Sequence, residues 1–364
     1  MTISARNLPV SMEEILDLAI EYKASDIHFK ANMAPVFRID GCIRSLPGLP
    51  VYDAETLRST LLGLLNRRQQ QAFEEKLELD SSLVFSDKAR VRINIYTDLD
   101  SVGCAMRMVP LEVPTIEQLG LPPIIDQLTE SRNGLILVTG VTGAGKSTTL
   151  AAMIDTINRR EPLHIYTLED PIEFVHRPKK SVITQREIGF HAKSFSSALR
   201  SCLRADPNVI LIGEMRDRDT MLNALKAAET GMLVLSTLHT QSAPKTIQRI
   251  LGVFDPGEQE AIRLQLALTL KAVVAQQLVP LVEGGRMAVH EIMVNTLTIQ
   301  EAILHNEVES IQEYIRNGAF DGMQTMDAAI YSAFREGFIE AEVARKYALN
   351  PVDMERILKG AMIH

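Results

Sequence analysis

The sequence from Leu135 to Ser147 reads LILVTGVTGAGKS and decides the fold. The run Leu135–Thr139 is apolar up to its last residue, which is typical of a buried strand in a parallel sheet. The next residues, Gly140–Ser147, match the pattern G-x-x-x-x-G-K-[ST], whose glycines let backbone N–H groups turn toward phosphate oxygens. Helical periodicity over Ser147–Ile157 places the positive end of a helix at the same point. Strand, loop and helix together predict a nucleotide-phosphate site.

Each residue of this loop has an expected role. Lys146 should reach the β- and γ-phosphates, and Ser147 should supply a ligand to Mg²⁺. ATP and Mg²⁺ are therefore the expected cofactors. The other expected nucleotide contacts are Gly140, Val141, Thr142, Gly143, Ala144, Gly145 and Thr148.

Two acidic segments follow predicted strands. The apolar run Val209–Ile212 leads to Glu214, which is placed to hold Mg²⁺ through water or to polarise the attacking water. A second cluster, Glu169–Glu173, follows the strand His164–Leu168. Because parallel strands bring their carboxyl ends to one edge of a sheet, both acidic segments should lie beside the phosphates. A solvated acidic turn is the alternative interpretation of the second cluster.

The N-terminal part of the chain has a different pattern. Ser11 and Glu14 form a capping box before a helical pattern, and Asp40-Gly41 is a hairpin signal. A further helical stretch runs from Asp53 to Leu77, with a break near Asn66. Short strands around these helices predict an α+β domain. The predicted strands are Asp26–Lys30, Val36–Asp40, Cys42–Leu46, Ser81–Phe85, Ala89–Tyr96 and Ser101–Met108.

A proline-rich segment separates this domain from the rest. Pro110, Pro114, Pro122 and Pro123 fall close together, which is typical of an interdomain linker. Beyond it, strands and helices alternate and predict an open α/β sheet. After Glu258 the pattern is mainly helical. The predicted boundaries are 1–108 for the first domain, 109–123 for the linker and 124–364 for the second domain.

Composition excludes several classes of protein. The 364 residues carry 38 Lys and Arg against 46 Asp and Glu, a net charge of −8, so a nucleic-acid partner is not expected. No apolar run approaches the roughly 18 residues that a membrane helix needs, and the N-terminus carries no secretory signal. Cys42, Cys104 and Cys202 lie too far apart for a CxxC zinc pair. These features predict a cytoplasmic protein.

The motifs together resemble the secretion ATPases of the type II/type IV pilus superfamily. Beside GVTGAGKSTT, the matching segments are TLEDPIEFVH (Thr167–His176), ALRSCLRADPNVILIGEMRD (Ala198–Asp217) and AAETGMLVLSTLHT (Ala227–Thr240). In the N-terminal domain they are ASDIHF (Ala24–Phe29), FRIDG (Phe37–Gly41) and ARVRINIY (Ala89–Tyr96). Within the superfamily, a short N-terminus, the lack of a tetracysteine element and GGRMAVHEIMV (Gly284–Val294) are most similar to the pilus-retraction, twitching-motility branch.

This resemblance implies an α/β protein with a PAS-like N-terminal domain, followed by a RecA-like P-loop ATPase domain with a helical C-terminal part. It implies a homohexameric motor that hydrolyses ATP to retract a type IV pilus. The expected location is the cytoplasmic face of the inner membrane, at the pilus base. The expected partners are an inner-membrane platform protein, through which alone the ring meets the membrane, and a paralogous pilus ATPase.

The resemblance also assigns roles by position in the motifs. Glu169 corresponds to an acid that helps position water, and Glu214 to the Walker B glutamate. His239 corresponds to a histidine that senses the γ-phosphate or couples neighbouring subunits.

Four arginines match family positions as well. Arg92 and Arg107, on neighbouring predicted strands, correspond to arginines that reach the nucleotide phosphates from the small domain. Arg200 and Arg204, one helical turn apart, correspond to a further pair at the nucleotide. Surface ion pairing is the alternative for both pairs.

Two departures from the family pattern keep other functions open. Met232 stands where the family has a histidine, and a thioether carries no charge and donates no hydrogen bond. The stretch Thr298–His305 lacks the basic residues of the corresponding family helix. An accessory or regulatory pilus ATPase that does not drive retraction is therefore one alternative. A RecA-like nucleic-acid motor is another, which the acidic composition disfavours.

Overall fold

The computed structural model describes residues 11–39, 41–85, 89–99, 101–109 and 112–360. The chain divides into two compact units, Met1–Glu112 and Val113–His364. The predicted turn residue Asp40 and linker residue Pro110 lie outside the described residues. Residues 112–122 contain no helix or strand, and the finer boundaries at 108 and 123 stay a prediction.

The N-terminal unit is an antiparallel sheet with helices. Its helices are α1 (Met12–Glu21), α2 (Ala54–Gly63) and α3 (Arg67–Lys76). Its strands are β1 (Asp26–Phe29), β2 (Val36–Ile39), β3 (Cys42–Ser45), β4 (Glu78–Phe85), β5 (Ala89–Thr97) and β6 (Val102–Val109), in the order β3-β2-β1-β6-β5-β4. This confirms the predicted α+β class.

Local signals in the sequence explain these elements. The capping box of Ser11 and Glu14 forms at the start of α1, and Asn66 caps α3 at the predicted break. Along β5, Val91 and Ile93 are fully buried while Arg92 between them is not, because alternate side chains of a strand point to opposite faces. The same alternation leaves charged side chains on the outer face of this sheet.

The C-terminal unit is a sheet covered by helices on both faces. Its elements up to the sheet's last strand are α4 (Pro123–Leu128), β7 (Gly134–Thr139), α5 (Lys146–Arg160), β8 (His164–Glu169), β9 (Val182–Glu187), α6 (Phe195–Cys202), β10 (Val209–Ile212), α7 (Arg218–Glu229), β11 (Leu233–Leu238), α8 (Ala243–Leu251), α9 (Gln259–Thr269), β12 (Leu270–Pro280) and β13 (Arg286–Val294). The remaining helices are α10 (Leu297–Leu304), α11 (Ile311–Asn317), α12 (Met326–Arg335), α13 (Ala341–Tyr347) and α14 (Pro351–Leu358), with short 3₁₀ turns at Val308–Ser310 and Ala319–Asp321.

The strand β7 lies inside the seven-stranded sheet, whose order is β13-β12-β7-β11-β10-β8-β9. It pairs in parallel with β11 on one edge and with β12 on the other. All its side chains are buried, and they divide between the two faces. Ile136 and Val138 pack with α5, whereas Leu135 and Leu137 belong to the core formed by α7, α8 and α9. The loop that follows β7 therefore starts from a strand that is paired on both edges and buried on both faces.

The prediction of a mainly helical chain after Glu258 is wrong for residues 270–294. Two strands, β12 and β13, lie there, and helices dominate only from α10 onward. The run Leu270–Pro280 is apolar enough to suit either a buried helix or a buried strand. It forms a strand because its backbone pairs with β7. Gly284 and Gly285, both with positive φ, then make the hairpin turn into β13. The strand β9 was not predicted either.

Among the residues that the structure describes, every helix is too short or too polar to cross a membrane.

The packing of β7 predicts a large stability difference between two aliphatic truncations. Ile136 is 0% exposed, so Ile136→Ala should lower the free energy of unfolding by about 2–5 kcal/mol through lost burial and a cavity. Leu297, on α10, is 77% exposed, so Leu297→Ala should change the free energy of unfolding by less than about 0.5 kcal/mol. Chemical denaturation of the two variants measures both values, and equal losses would contradict this account of the core.

Candidate active site

The phosphate loop has the backbone that its glycines predict. Gly140, Gly143 and Gly145 all have positive φ, which glycine adopts without strain. Lys146 is the first residue of α5, and its Nζ donates to the carbonyl oxygens of Gly140 at 2.7 Å and Val141 at 3.1 Å. The ammonium group therefore lies within the loop.

The charge of Lys146 is influenced by two acids. Burial lowers the pKa of Lys146, and the negative charges of Glu214 and Glu173 oppose that shift only in part. Both carboxylates therefore act on the lysine at the centre of the loop. Ser147 and Thr148, the next residues of α5, are half-buried. The sequence prediction that acids follow neighbouring strands to the phosphate loop is consistent with this geometry.

Glu214 and His239 are in direct contact. Glu214 follows β10, His239 follows β11, and Oε1 of Glu214 lies 3.0 Å from Nε2 of His239. The other carboxylate oxygen, Oε2, lies 2.8 Å from Nη2 of Arg216. Burial alone would raise the pKa of Glu214, but the hydrogen bond from Arg216 and the contact with His239 outweigh it and lower that pKa. Glu214 is thus held as a carboxylate at neutral pH.

Glu169 occupies a different environment. It ends β8 with its side chain buried, and its Oε1 accepts hydrogen bonds from Thr167 at 2.6 Å and from Gln185 at 3.1 Å. Burial raises its pKa. Its carboxyl group is therefore engaged in holding β8 to β9. Glu173, in the same cluster, is exposed and acts on Lys146.

The predicted arginine pair in the C-terminal unit does not share a helix face. Arg200 is exposed on α6, but α6 ends at Cys202 and Arg204 lies in the turn that follows. The guanidinium group of Arg204 donates to the carbonyl oxygen of Arg200 at 3.1 Å. A nucleotide role for the two arginines stays a prediction.

The arginines of the N-terminal unit are brought together. Arg92 on β5 lies directly opposite Arg107 on β6, as the prediction of neighbouring strands requires. The Nε of Arg107 lies 2.9 Å from Oδ1 of Asp26, yet the Arg107 side chain remains 68% exposed. Arg38 approaches the other oxygen of Asp26 at 3.6 Å. Arg107 is therefore an exposed cation with one acidic partner.

Three residues of this region had no role assigned from sequence. Arg216 and Glu173 lie inside quoted motifs, so their position in the Walker B segment and in the acidic cluster could have suggested them. Gln276 lies on β12, and its side chain contacts the phosphate loop. No local signal pointed to Gln276, because the strand that carries it was not predicted.

A buried strand, a glycine loop around a lysine and an ionised glutamate beyond the end of another strand of the same sheet define a P-loop ATPase site. Residues 5–284 match the family model described as "Type II/IV secretion system protein", and the chain belongs to that family. The motif resemblance and the predicted fold class are thereby confirmed.

Known relatives match almost the whole chain. It is 42% identical over 342 residues to the type IV pilus retraction ATPase PilT of Pseudomonas aeruginosa, covering 94% of this chain and 99% of that protein. It is 36% identical over 351 residues to the type IV pilus ATPase PilU of the same organism, covering 96% and 92%. A crystal structure of the pilus retraction motor PilT with bound ADP superposes with a TM-score of 0.90, at 40% identity, covering 95% and 99%.

The environment of Glu214 predicts a separation of binding from hydrolysis. Glu214→Gln keeps the shape of the side chain but removes the charge, so ATP hydrolysis should fall by about 10²–10⁴-fold. Equilibrium ATP binding should stay within about threefold of wild type, because the loop is intact. In the wild-type protein the pKa of Glu214 is lowered, so its carboxylate stays ionised as the pH falls toward the usual pKa of a glutamate. Turnover should therefore not be lost through protonation of Glu214 in that range.

Glu301→Gln, an exposed position on α10, is the matched control and should hydrolyse ATP normally. If Glu214→Gln loses ATP binding together with turnover, Glu214 is structural.

Proposed function

We propose that this chain is a motor ATPase that hydrolyses ATP and uses the energy to retract a type IV pilus. One observation carries the proposal: the ionised Glu214 and the phosphate-loop Lys146 interact electrostatically in a chain that spans 99% of a pilus retraction ATPase. The site residues support ATP hydrolysis, and the similarity to pilus retraction ATPases supports retraction as the work that hydrolysis drives.

In the proposed reaction the loop binds the β- and γ-phosphates. Lys146 leaves the carbonyl oxygens of Gly140 and Val141 and turns to the phosphate oxygens, which offer more negative charge. The N-terminus of α5 adds its partial positive charge. These contacts hold ATP in place without a covalent intermediate, as phosphoryl transfer to water requires.

The donor set suits Mg²⁺. Ser147 offers a hydroxyl oxygen and Glu214 an ionised carboxylate, and Mg²⁺ prefers hard oxygen ligands. When bound with ATP, Mg²⁺ supplies charge neutralisation at the β- and γ-phosphates.

Glu214 is the proposed residue that orients the attacking water. Both of its oxygens now have partners, His239 on Oε1 and Arg216 on Oε2. Each carboxylate oxygen has a further lone pair, so a water held there shares its oxygen with one of these two contacts. His239 is therefore placed to report the state of the site to the segment that follows β11. Glu173, an exposed acid that acts on Lys146, is a second candidate for the same task, and Glu169 positions the strand end.

The proposed assembly is a homohexameric ring in the cytoplasm, at the inner-membrane base of the pilus. Its support is the high structural similarity to the pilus retraction motor PilT. The proposed partners are the platform protein of the pilus base and a paralogous pilus ATPase, since relatives include both PilT and PilU.

An accessory role beside a second pilus ATPase is the alternative, and the C-terminal helix α10 favours it. That helix has no basic residue in its last turn, and Leu297 and Leu304 are exposed on it. Met232 packs against the apolar core where a histidine is expected. The altered helix would affect contacts with partners, whereas Met232 removes a group that could carry a proton; neither lies in the phosphate loop.

Retraction predicts linked results in solution and in cells. Purified chain should release phosphate from ATP, and Lys146→Ala should abolish that release while remaining folded. Single-stranded DNA should not stimulate it. In the source bacterium, deletion should leave labelled pili that extend without retracting, and the Lys146→Ala gene should not restore retraction.

Normal retraction in the deletion strain, combined with ATPase activity of the pure protein, would assign the accessory role. Strong stimulation by DNA would point to a nucleic-acid motor.

Arg107 predicts that the active site depends on the N-terminal unit. We expect Arg107 to contribute to the transition state, as arginine fingers do, so Arg107→Ala should lower kcat by about 10³-fold with little loss of ATP affinity. Arg38→Ala is the matched control, because Arg38 shares Asp26 with Arg107. If the role is only to hold Asp26, the two variants should behave alike.

Mixed rings then tell whether Arg107 acts on a neighbouring subunit. Lys146→Ala and Arg107→Ala subunits are each inactive in this proposal, but some interfaces of a mixed ring pair an intact loop with an intact arginine. Part of the activity should return on mixing. No recovery in verified mixed rings would mean that the arginine acts within its own subunit.

A further inference from the structure

Gln276 links β12 to the phosphate loop through its side chain. Its Nε2 donates to the carbonyl oxygen of Ala144 at 2.7 Å, and its Oε1 accepts from the hydroxyl of Thr149 at 2.8 Å. The residue is 3% exposed, so neither hydrogen bond competes with bulk water. One buried amide therefore joins the loop, the helix α5 and a strand far away in the sequence.

The orientation of this amide is fixed by its partners. A carbonyl oxygen can only accept a hydrogen bond, so the NH₂ group must face Ala144. The hydroxyl of Thr149 then donates to the remaining amide oxygen. Glutamine is the residue type that satisfies both partners, since glutamate offers no donor when ionised and an apolar side chain offers neither.

The backbone and side chain of Gln276 also explain two of the loop glycines. A Cβ on Gly140 would lie 2.2 Å from the carbonyl oxygen of Gln276, and a Cβ on Gly145 would lie 2.8 Å from its Nε2. The loop is thus packed directly against β12 at both of its ends.

We infer that Gln276 is a positioning residue for ATP binding: it holds the Ala144 carbonyl group and so keeps the phosphate loop in its binding shape. The inference rests on the proposed use of this loop for ATP. Lys146 now occupies the carbonyl groups of Gly140 and Val141, and it must release them to reach the phosphates. The bond from Gln276 involves neither Lys146 nor a residue expected to bind phosphate through its side chain. It persists through that exchange and spares ATP the cost of ordering the loop.

The test replaces the amide without changing its size. In Gln276→Glu, an ionised carboxylate faces the Ala144 carbonyl oxygen and repels it, so ADP should bind at least tenfold more weakly at pH 8. The buried glutamate has a raised pKa, and once protonated it can donate to Ala144. The defect relative to wild type should therefore shrink at pH 6. KM for ATP should rise with the Kd for ADP, while kcat stays near wild type.

Two further variants separate positioning from folding. Gln277→Glu makes the same change one residue along, where the amide donates to the carbonyl oxygen of Tyr347 at 2.8 Å and not to the loop. It should bind ADP like wild type at both pH values. Gln276→Met is neutral and similar in length, so it should weaken ADP binding without pH dependence, even if Gln276→Glu folds poorly. Thermal unfolding at both pH values shows which variants are folded.

The inference is overturned if folded Gln276→Met and Gln276→Glu bind ADP within twofold of wild type. It is also overturned if Gln277→Glu shows the same pH-dependent loss. The proposed function fails separately, if wild type does not bind ADP or if Lys146→Ala binds it equally well.

Discussion

The parallel pairing of β7 with a strand on each edge is the constraint on which the site depends. Strand pairing with β11 and β12 continues as far as Thr139, so the loop begins from a point that is held on both sides. The helix α5 is fixed in turn by packing its apolar side chains on Ile136 and Val138. A loop held between two rigid elements can keep its N–H groups directed inward before any ligand arrives, which lowers the entropy lost on binding.

The same sheet edge places two glutamates in opposite electrostatic environments. Glu214 is surrounded by Arg216 and His239, and its pKa is lowered, so it keeps its charge. Glu169 is buried between a hydroxyl and an amide, and its pKa is raised. Two carboxyl groups at neighbouring strand ends are therefore not interchangeable: one is suited to water and metal ions, and the other to holding strands together. Their environments, rather than their positions in a motif, separate the two roles.

The sequence predicted features that depend on interactions between residues close together in the chain, and it missed those that depend on distant residues. The strand, loop and helix around Lys146 are formed by residues that are close together in the sequence, so a short segment is enough to predict them. The neighbouring strands of Arg92 and Arg107 were predicted from the family resemblance, and the directly opposite pairing of the two residues came only from the register of β5 and β6. Gln276 was not predicted, since its partner Ala144 lies 132 residues away and the sequence of β12, which carries Gln276, also suits a buried helix. Glu169 was identified as an acid of the site, but its burial depends on β9, which the pattern did not predict.

The position of Lys146 has a consequence for the timing of nucleotide exchange. Its ammonium group donates to two carbonyl oxygens of the loop itself, those of Gly140 and Val141. In the proposed reaction this lysine exchanges those two carbonyl oxygens for phosphate oxygens, which is a rotation of one buried side chain. If that rotation is fast compared with turnover, the rate of nucleotide exchange is set by movements larger than one side chain.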